Sequence, residues 1–332
     1  MAEIGSGCDV TQDRAATTLP SALIVAGPTA SGKSALAIAI AERLGGVIIN
    51  ADSMQVYREL RIITARPTVA EEACTPHRLY GTRAASVAGS VAWWRERALA
   101  EMAAARDAGL LPIVCGGTGL YFAALLNGLA DIPDPGAPAR AEARALLAAY
   151  GPAALHARLL DMDPATARRL KPTDSQRLAR AWEVWLGTGR GLAAWHARPL
   201  PPATWRLRAI LLDPPRADLR AAIATRFNAM LVAGALEEAR ALLALGLDPA
   251  LPAMRAHGMP ELAAHLRGEI TLDEAAHRAR LVTGQYTKRQ ATWFRHHELS
   301  NIDPVHTIHA RFVDMAQFPE RKLAEILNFI QG

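Results

Sequence analysis

The stretch "AGPTASGKSALA", Ala26 to Ala37, restricts what this chain can fold into more than any other segment. Its pattern is Gly27-x-x-x-x-Gly32-Lys33-Ser34, preceded by "ALIVA" and followed by "ALAIAIAERL". The apolar run reads as a strand and the following segment as a helix, which is the setting a phosphate-binding loop requires. Glycines let such a loop curl until its N–H groups and the helix N-terminus point at anionic oxygens. Gly27, Pro28, Thr29, Ala30, Ser31, Gly32, Lys33 and Ser34 are the expected phosphate-binding residues. Lys33 adds a positive charge, and the Ser34 hydroxyl suits a magnesium ion. The loop alone does not say whose phosphates it holds, and nucleoside triphosphates are the default.

Further apolar runs, "VIIN", "LPIVC" and "LRAILL", alternate with helix-like segments. This alternation predicts a parallel sheet with crossover helices, an α/β fold of the P-loop NTPase-like kind. The run "VIINADS" puts Asp52 and Ser53 at the carboxyl end of a strand, where open α/β sheets place their ligands. A role for Asp52 as a helix cap stays open at this point. The run "LLPIVCGGTGLY" leads into a glycine turn that can aim Thr118 into the same crevice. It carries no acidic residue after the strand, and a nucleotide hydrolase commonly has one there to order magnesium.

The chain has 332 residues, of which 51% are hydrophobic, enough for one large or two moderate domains. From Asp131 to Pro202 the sequence is rich in alanine and arginine and carries no strand signal. A helical insertion over 131–202 is expected, splitting a core formed by 21–130 and 203–332. Residues 1–20 lack an apolar leader core and read as a disordered extension. No apolar run approaches the roughly 20 residues of a membrane span. Cys8, Cys74 and Cys115 form no paired framework and fit a reducing cytoplasm. Cys74 and His77 are spaced like metal ligands, but nothing nearby completes a site.

The net charge is +5, and the pI is about 9.4. Between Arg278 and His297 lie five Lys or Arg residues and no acid. At 100° per residue, Arg280, Lys288 and Arg295 share an arc of about 80°, opposite Val282, Tyr286 and Trp293. One amphipathic helix is expected, with an apolar seam inward and a basic ridge facing a polyanion. Arg289 falls nearer the seam, where it needs a partner. The insertion adds Arg140, Arg144, Arg168, Arg169, Lys171, Arg177 and Arg180.

The segments "GPTASGKS", "NADSMQVYREL", "TARPT", "PHRLYG", "GGTGLYFAALLNGL", "DSQRLARAWEV", "RFNAML" and "KRQATWFR" occur in this order. Together they resemble the bacterial tRNA dimethylallyltransferases, from about Ser21 to near the C-terminus. The resemblance implies that the loop holds dimethylallyl diphosphate, with magnesium, and that the acceptor is an adenine beside the tRNA anticodon. It implies Asp52 as catalytic base, Arg226 near the diphosphate and Thr118 near the reacting amine. Contacts to the anticodon stem-loop are implied for Ser53, Met54, Gln55 and Arg140, and for Gln176, Arg177, Leu178, Ala179 and Arg180. Lys288 and Arg295 would meet backbone phosphates, and the family default is a cytoplasmic monomer. One stretch departs from the family pattern Arg-x-x-Gly-Tyr-Arg-Gln: here it reads "RAHGMPEL", keeping Arg255 and Gly258 as expected RNA contacts. Rival readings are a small-molecule P-loop kinase, an adenylate dimethylallyltransferase and an RNA-binding ATPase switch. A mononucleotide acceptor needs neither the insertion nor the basic ridge.

Overall fold

The computed structural model describes residues 19–317 and 320–331. The chain opens with β1 (Ser21–Ala26), the phosphate-loop segment, α1 (Lys33–Leu44) and β2 (Gly46–Asn50). Next come α2 (Val69–Cys74), β3 (His77–Arg78), α3 (Val91–Asp107), β4 (Leu111–Gly116) and α4 (Gly119–Leu126). The middle of the chain runs β5 (Leu129–Ala130), α5 (Gly136–Met162), α6 (Pro164–Ala167), α7 (Ser175–Thr188), α8 (Leu192–His196) and β6 (Pro199–Leu200). The rest is β7 (Arg206–Leu212), α9 (Arg216–Val232), α10 (Ala235–Ala244), α11 (Met259–Leu266), α12 (Leu272–His296), β8 (His306–Ile308) and α13 (Glu320–Gln331).

Six strands form one sheet in the order β3-β2-β4-β1-β7-β8, and every pairing in it is parallel. Because helices cover both faces, the central strands are apolar on both sides rather than alternating. Along β1, Ala22, Ile24 and Ala26 face a layer containing Trp94, Met102, Phe122 and Phe294. Leu23 and Val25 face the other layer, with Leu36, Ile40, Ile326 and Ile330. Four short strands escaped the sequence reading: β5 and β6, the latter inside the stretch expected to be wholly helical, and two strands of this sheet. β3 and β8 have two and three residues, too few for an apolar run to show.

Helices α5 to α8 close around their own core of Leu155, Leu159, Leu178 and Trp182. The chain leaves and re-enters the sheet layer through the antiparallel ribbon β5–β6, Leu129 opposite Leu200. α5 is broken at Gly151, whose φ is 75°, before Pro152 starts its second half. A fourth cluster joins α9, α10 and α11 to the segment Val56–Ile63, with Phe227, Met230 and Met259 inside. Among the described residues, no single helix is long and apolar enough to cross a membrane. The expected extension 1–20 and Cys8 lie almost wholly outside the described residues.

Candidate active site

Four carboxyl-end segments meet where the phosphate loop leaves the sheet. Gly32 caps the start of α1 with a φ of 90°, which favours glycine; a side chain there would strike the carbonyl of Phe312. The first N–H groups of α1 have no intrahelical acceptor and open toward an anion. Two loop residues depart from the expectation. The Thr29 N–H is already donated to Gln290 Oε1 at 2.8 Å, and the Ser31 N–H to the Pro28 carbonyl at 3.2 Å. Their amides hold the loop's shape, which leaves the N–H groups at the helix start as the loop's candidate donors to an anion. The Ser31 hydroxyl is buried and has no hydrogen-bond partner among the described residues.

Lys33 Nζ lies 3.5 Å from the Pro28 carbonyl oxygen. Burial pulls its pKa below the usual lysine value, and the Asp52 charge works against that pull. Arg226, on α9, shows the same balance: burial lowers its pKa, Asp52 raises it, and Arg311 lowers it again. Two half-buried cations therefore face one carboxylate. Asp52 follows β2, with its N–H held by Asn50 Oδ1 at 2.8 Å. Its Oδ1 accepts the Met54 N–H at 2.9 Å, so one carboxylate oxygen closes a turn. Asp52 therefore shapes this turn and caps no helix. The Ser34 hydroxyl reaches the Cys115 thiol, whose pKa burial pushes up to about 12. The Ser34 hydroxyl is a hard oxygen donor, the kind magnesium takes.

Asp52 lines a cavity of about 380 Å³ with Thr29, Ser53, Met54, Arg226, Arg255, His257 and Tyr286. Gln176, from α7 of the helical layer, reaches the same cavity. Thr118 sits beside it, its Oγ1 accepting the Ser53 N–H at 3.0 Å. Tyr286 hydrogen-bonds both Thr118 and Gln290, and burial together with the Asp52 charge lifts its pKa to about 12. Gln290 then donates to the Gly117 carbonyl at 2.9 Å. Sequence reasoning missed Gln290 as a site residue, although "KRQATWFR" contained it. A buried glutamine bridging two loops leaves no signature in spacing.

Several expected RNA contacts need correction. Leu178 is fully buried in the helical core, so its side chain packs against Leu155 and Leu159 instead of solvent. Ala179 also packs on that core. The Gln55 amide nitrogen donates to the Thr64 and Ala65 carbonyls, both at 2.9 Å, and braces its own loop. Gly258 is buried against Phe227 and Ile63 with φ 99°, and its N–H goes to Glu261. Where the family has Tyr-Arg, Met259 is fully buried and Pro260 opens α11. Arg140 pairs with Asp134, Arg177 with Asp174 at 3.5 Å and Arg180 with Glu183 at 3.3 Å. These three arginines remain partly exposed beside their acids.

The seam of α12 is also rotated from the expected one. Its buried residues are Ala275, Ala276, Ala279, Thr283, Thr287, Gln290 and Phe294. That face lies roughly 80° from Val282, Tyr286 and Trp293, at 100° per residue. Arg289 is exposed and stands 5.6 Å from the Tyr286 ring centroid. Lys288 and Arg295 line a separate groove of about 730 Å³ between α9 and α12, with Arg216, Arg220 and Arg280. The helix carries no acid there, yet Arg295 finds one in Asp213 at 3.7 Å. At the Cys74–His77 pair, His77 Nδ1 lies 2.9 Å from the Thr75 carbonyl. No group of three His, Cys, Asp or Glu able to hold a metal occurs among the described residues.

Comparison with known proteins points to one family. The family described as IPP transferase matches residues 55–297. The tRNA dimethylallyltransferase of Acidiphilium cryptum (strain JF-5) is 62% identical over 325 residues, covering 97% of this chain and 99% of that protein. That of Granulibacter bethesdensis is 60% identical over 312 residues, covering 94% and 98%. The crystal structure of the full-length tRNA isopentenylpyrophosphate transferase from Bacillus halodurans aligns with a TM-score of 0.64 at 32% identity, covering 94% of this chain and 96% of that one. A eukaryotic dimethylallyltransferase acting on tRNA shares the fold, with a TM-score of 0.74 at 24% identity over 94% of this chain and 80% of that one.

Proposed function

This chain belongs to the IPP transferase family, and from that premise we propose how its residues carry out the reaction. It is a tRNA dimethylallyltransferase, moving the dimethylallyl group of dimethylallyl diphosphate to the N6 amine of the adenosine on the 3′ side of the anticodon. The observation that carries the reading is the placement of Asp52 and Arg226 on one 380 Å³ cavity, with the charge of Lys33 in the phosphate loop coupled to the same Asp52 carboxylate. An anion-binding end and a proton-accepting wall share a space suited to a five-carbon chain and a base edge.

The allylic C–O bond breaks, its electron pair leaves with the diphosphate, and the adenine nitrogen forms the new C–N bond. Lys33, Arg226 and the N–H groups at the start of α1 stabilise the growing negative charge. Asp52 accepts the amine proton through the oxygen that does not hold the Met54 N–H. A carboxylate of ordinary strength suffices, because the nitrogen becomes strongly acidic only as it alkylates. Ser34 is the residue that would hold magnesium, which would supply neutralising charge when bound.

The acceptor is the anticodon stem-loop, whose target adenine must leave its stack at a cost of a few kcal/mol. Gln176, at the cavity, and exposed Arg177, one residue on, suit the space left by the base. Thr118 and Ser53 line the amine's approach, and Lys288 and Arg295 face the backbone phosphates. The protein works as a cytoplasmic monomer. The test is nucleoside analysis of unmodified tRNA incubated with the protein, magnesium and dimethylallyl diphosphate. N6-dimethylallyladenosine at the position 3′ of the anticodon is expected. Its absence, with heat protection by ATP and none by dimethylallyl diphosphate, would favour a kinase instead.

A further inference from the structure

The phosphate loop is held from its far side by the segment after β8. Arg311 Nε donates to the Ala30 carbonyl at 2.9 Å, and the Phe312 N–H donates to the Ser31 carbonyl at 2.9 Å. Ala30 has a φ of 68°, a left-handed conformation that costs a non-glycine residue about 1–2 kcal/mol. The two hydrogen bonds fix the loop at that residue and the next. The segment is itself fastened: Gln317 donates to the Arg311 carbonyl at 2.6 Å and accepts the Val313 N–H at 3.0 Å. Phe312 is buried among the residues under α1.

Arg311 is half-buried, and among the described residues no carboxylate pairs with it. Its Nε is used by the loop, while its two terminal nitrogens make no hydrogen bond among the described residues. Its charge reaches Arg226 and lowers that residue's pKa. Three cations, Lys33, Arg226 and Arg311, thus gather around one loop, and the carboxylate whose charge acts on Lys33 and Arg226 is Asp52. Such an excess is unfavourable in the empty protein and is relieved by a multiply charged anion.

We propose that Arg311 is a positioning residue for the donor: it locks the phosphate loop through the Ala30 carbonyl and adds a third positive charge to the diphosphate site. The inference rests on the reading of the loop as a diphosphate site. Sequence spacing alone could not suggest it, because 277 residues separate Arg311 from Ser34 along the chain.

The test uses the full chain with magnesium and inorganic pyrophosphate, titrated by calorimetry, for wild type, Arg311→Lys and Arg311→Gln. Loss of a charge-assisted contribution predicts about ten-fold weaker pyrophosphate binding for Arg311→Gln, with Arg311→Lys within about three-fold of wild type. Both variants lose the Nε geometry, so both should melt slightly lower without ligand, and tRNA affinity should stay unchanged. Pyrophosphate binding by Arg311→Gln within two-fold of wild type, by the ~0.4 kcal/mol that ratio represents, would overturn the proposal. Equal weakening in both variants, tracking their melting temperatures, would make Arg311 a structural tie only and overturn its charge role. Failure of wild type to bind pyrophosphate would refute the diphosphate reading itself and is distinguishable from either result.

Discussion

Asp52→Asn separates proton acceptance from shape. The asparagine Oδ1 can still accept the Met54 N–H, and the Asn50 bond to the backbone of residue 52 is untouched, so the turn after β2 should survive. What disappears is the negative charge facing Lys33 and Arg226 and the capacity to take a proton. A general base contributes about 100- to 10,000-fold, or roughly 3 to 5 kcal/mol of barrier. That loss should appear in single-turnover rates at saturating tRNA and dimethylallyl diphosphate. Removing the carboxylate also leaves two cations uncompensated, destabilising the ligand-free protein by about 1 kcal/mol. The melting temperature should fall by a few degrees and recover with pyrophosphate. The carboxylate repels a diphosphate, so pyrophosphate affinity should hold or rise. A variant that transfers the dimethylallyl group within about three-fold of the wild-type rate would refute the base assignment. It would leave Asp52 as a turn-former and send the proton to another acceptor.

Gln290→Leu strips the Thr29 N–H and the Gly117 carbonyl of their partner, which at about 1–3 kcal/mol per orphaned group predicts a large loss of thermal stability and a raised KM for the donor; a melting temperature within a degree of wild type would show that the bridge is dispensable. Replacing Lys288 and Arg295 with alanine should flatten the slope of log tRNA affinity against log salt by about one to two units, leaving donor binding intact. An unchanged slope removes the α9–α12 groove from the RNA interface. Burial and Arg289 hold the His257 pKa below its ordinary 6.5, with Asp52 opposing. The unfolded chain therefore binds the proton more readily, so stability is full above about pH 6.5 and declines as pH falls toward the depressed folded value. In His257→Gln that acid decline should shrink, as read by melting temperature from pH 7.5 to 5.5, and an identical decline would assign it to other groups.

Local chemistry determined much of this protein. Gly32, Lys33 and Ser34 announce an anion site because their spacing has meaning within one turn of chain, and the apolar runs "LIVA", "VIIN", "LPIVC" and "LRAILL" announce a sheet covered on both faces. Asp52 and Thr118 were legible for the same reason: each follows a strand whose end the run itself marks. Tertiary structure decided what no run records. Whether Leu178 faced solvent or the helical core depended on how α5 packs against α7, and the seam of α12 was set by which neighbours it met, since threonine, glutamine and alanine can line a buried face as well as Val282 or Trp293. Gln290 and Arg311 reach the loop from 261 and 281 residues away from their partners. A hydrogen bond between such distant residues exists only once the fold has brought α12 and the segment after β8 to the loop that follows β1, so it can be read from the fold and not from the sequence.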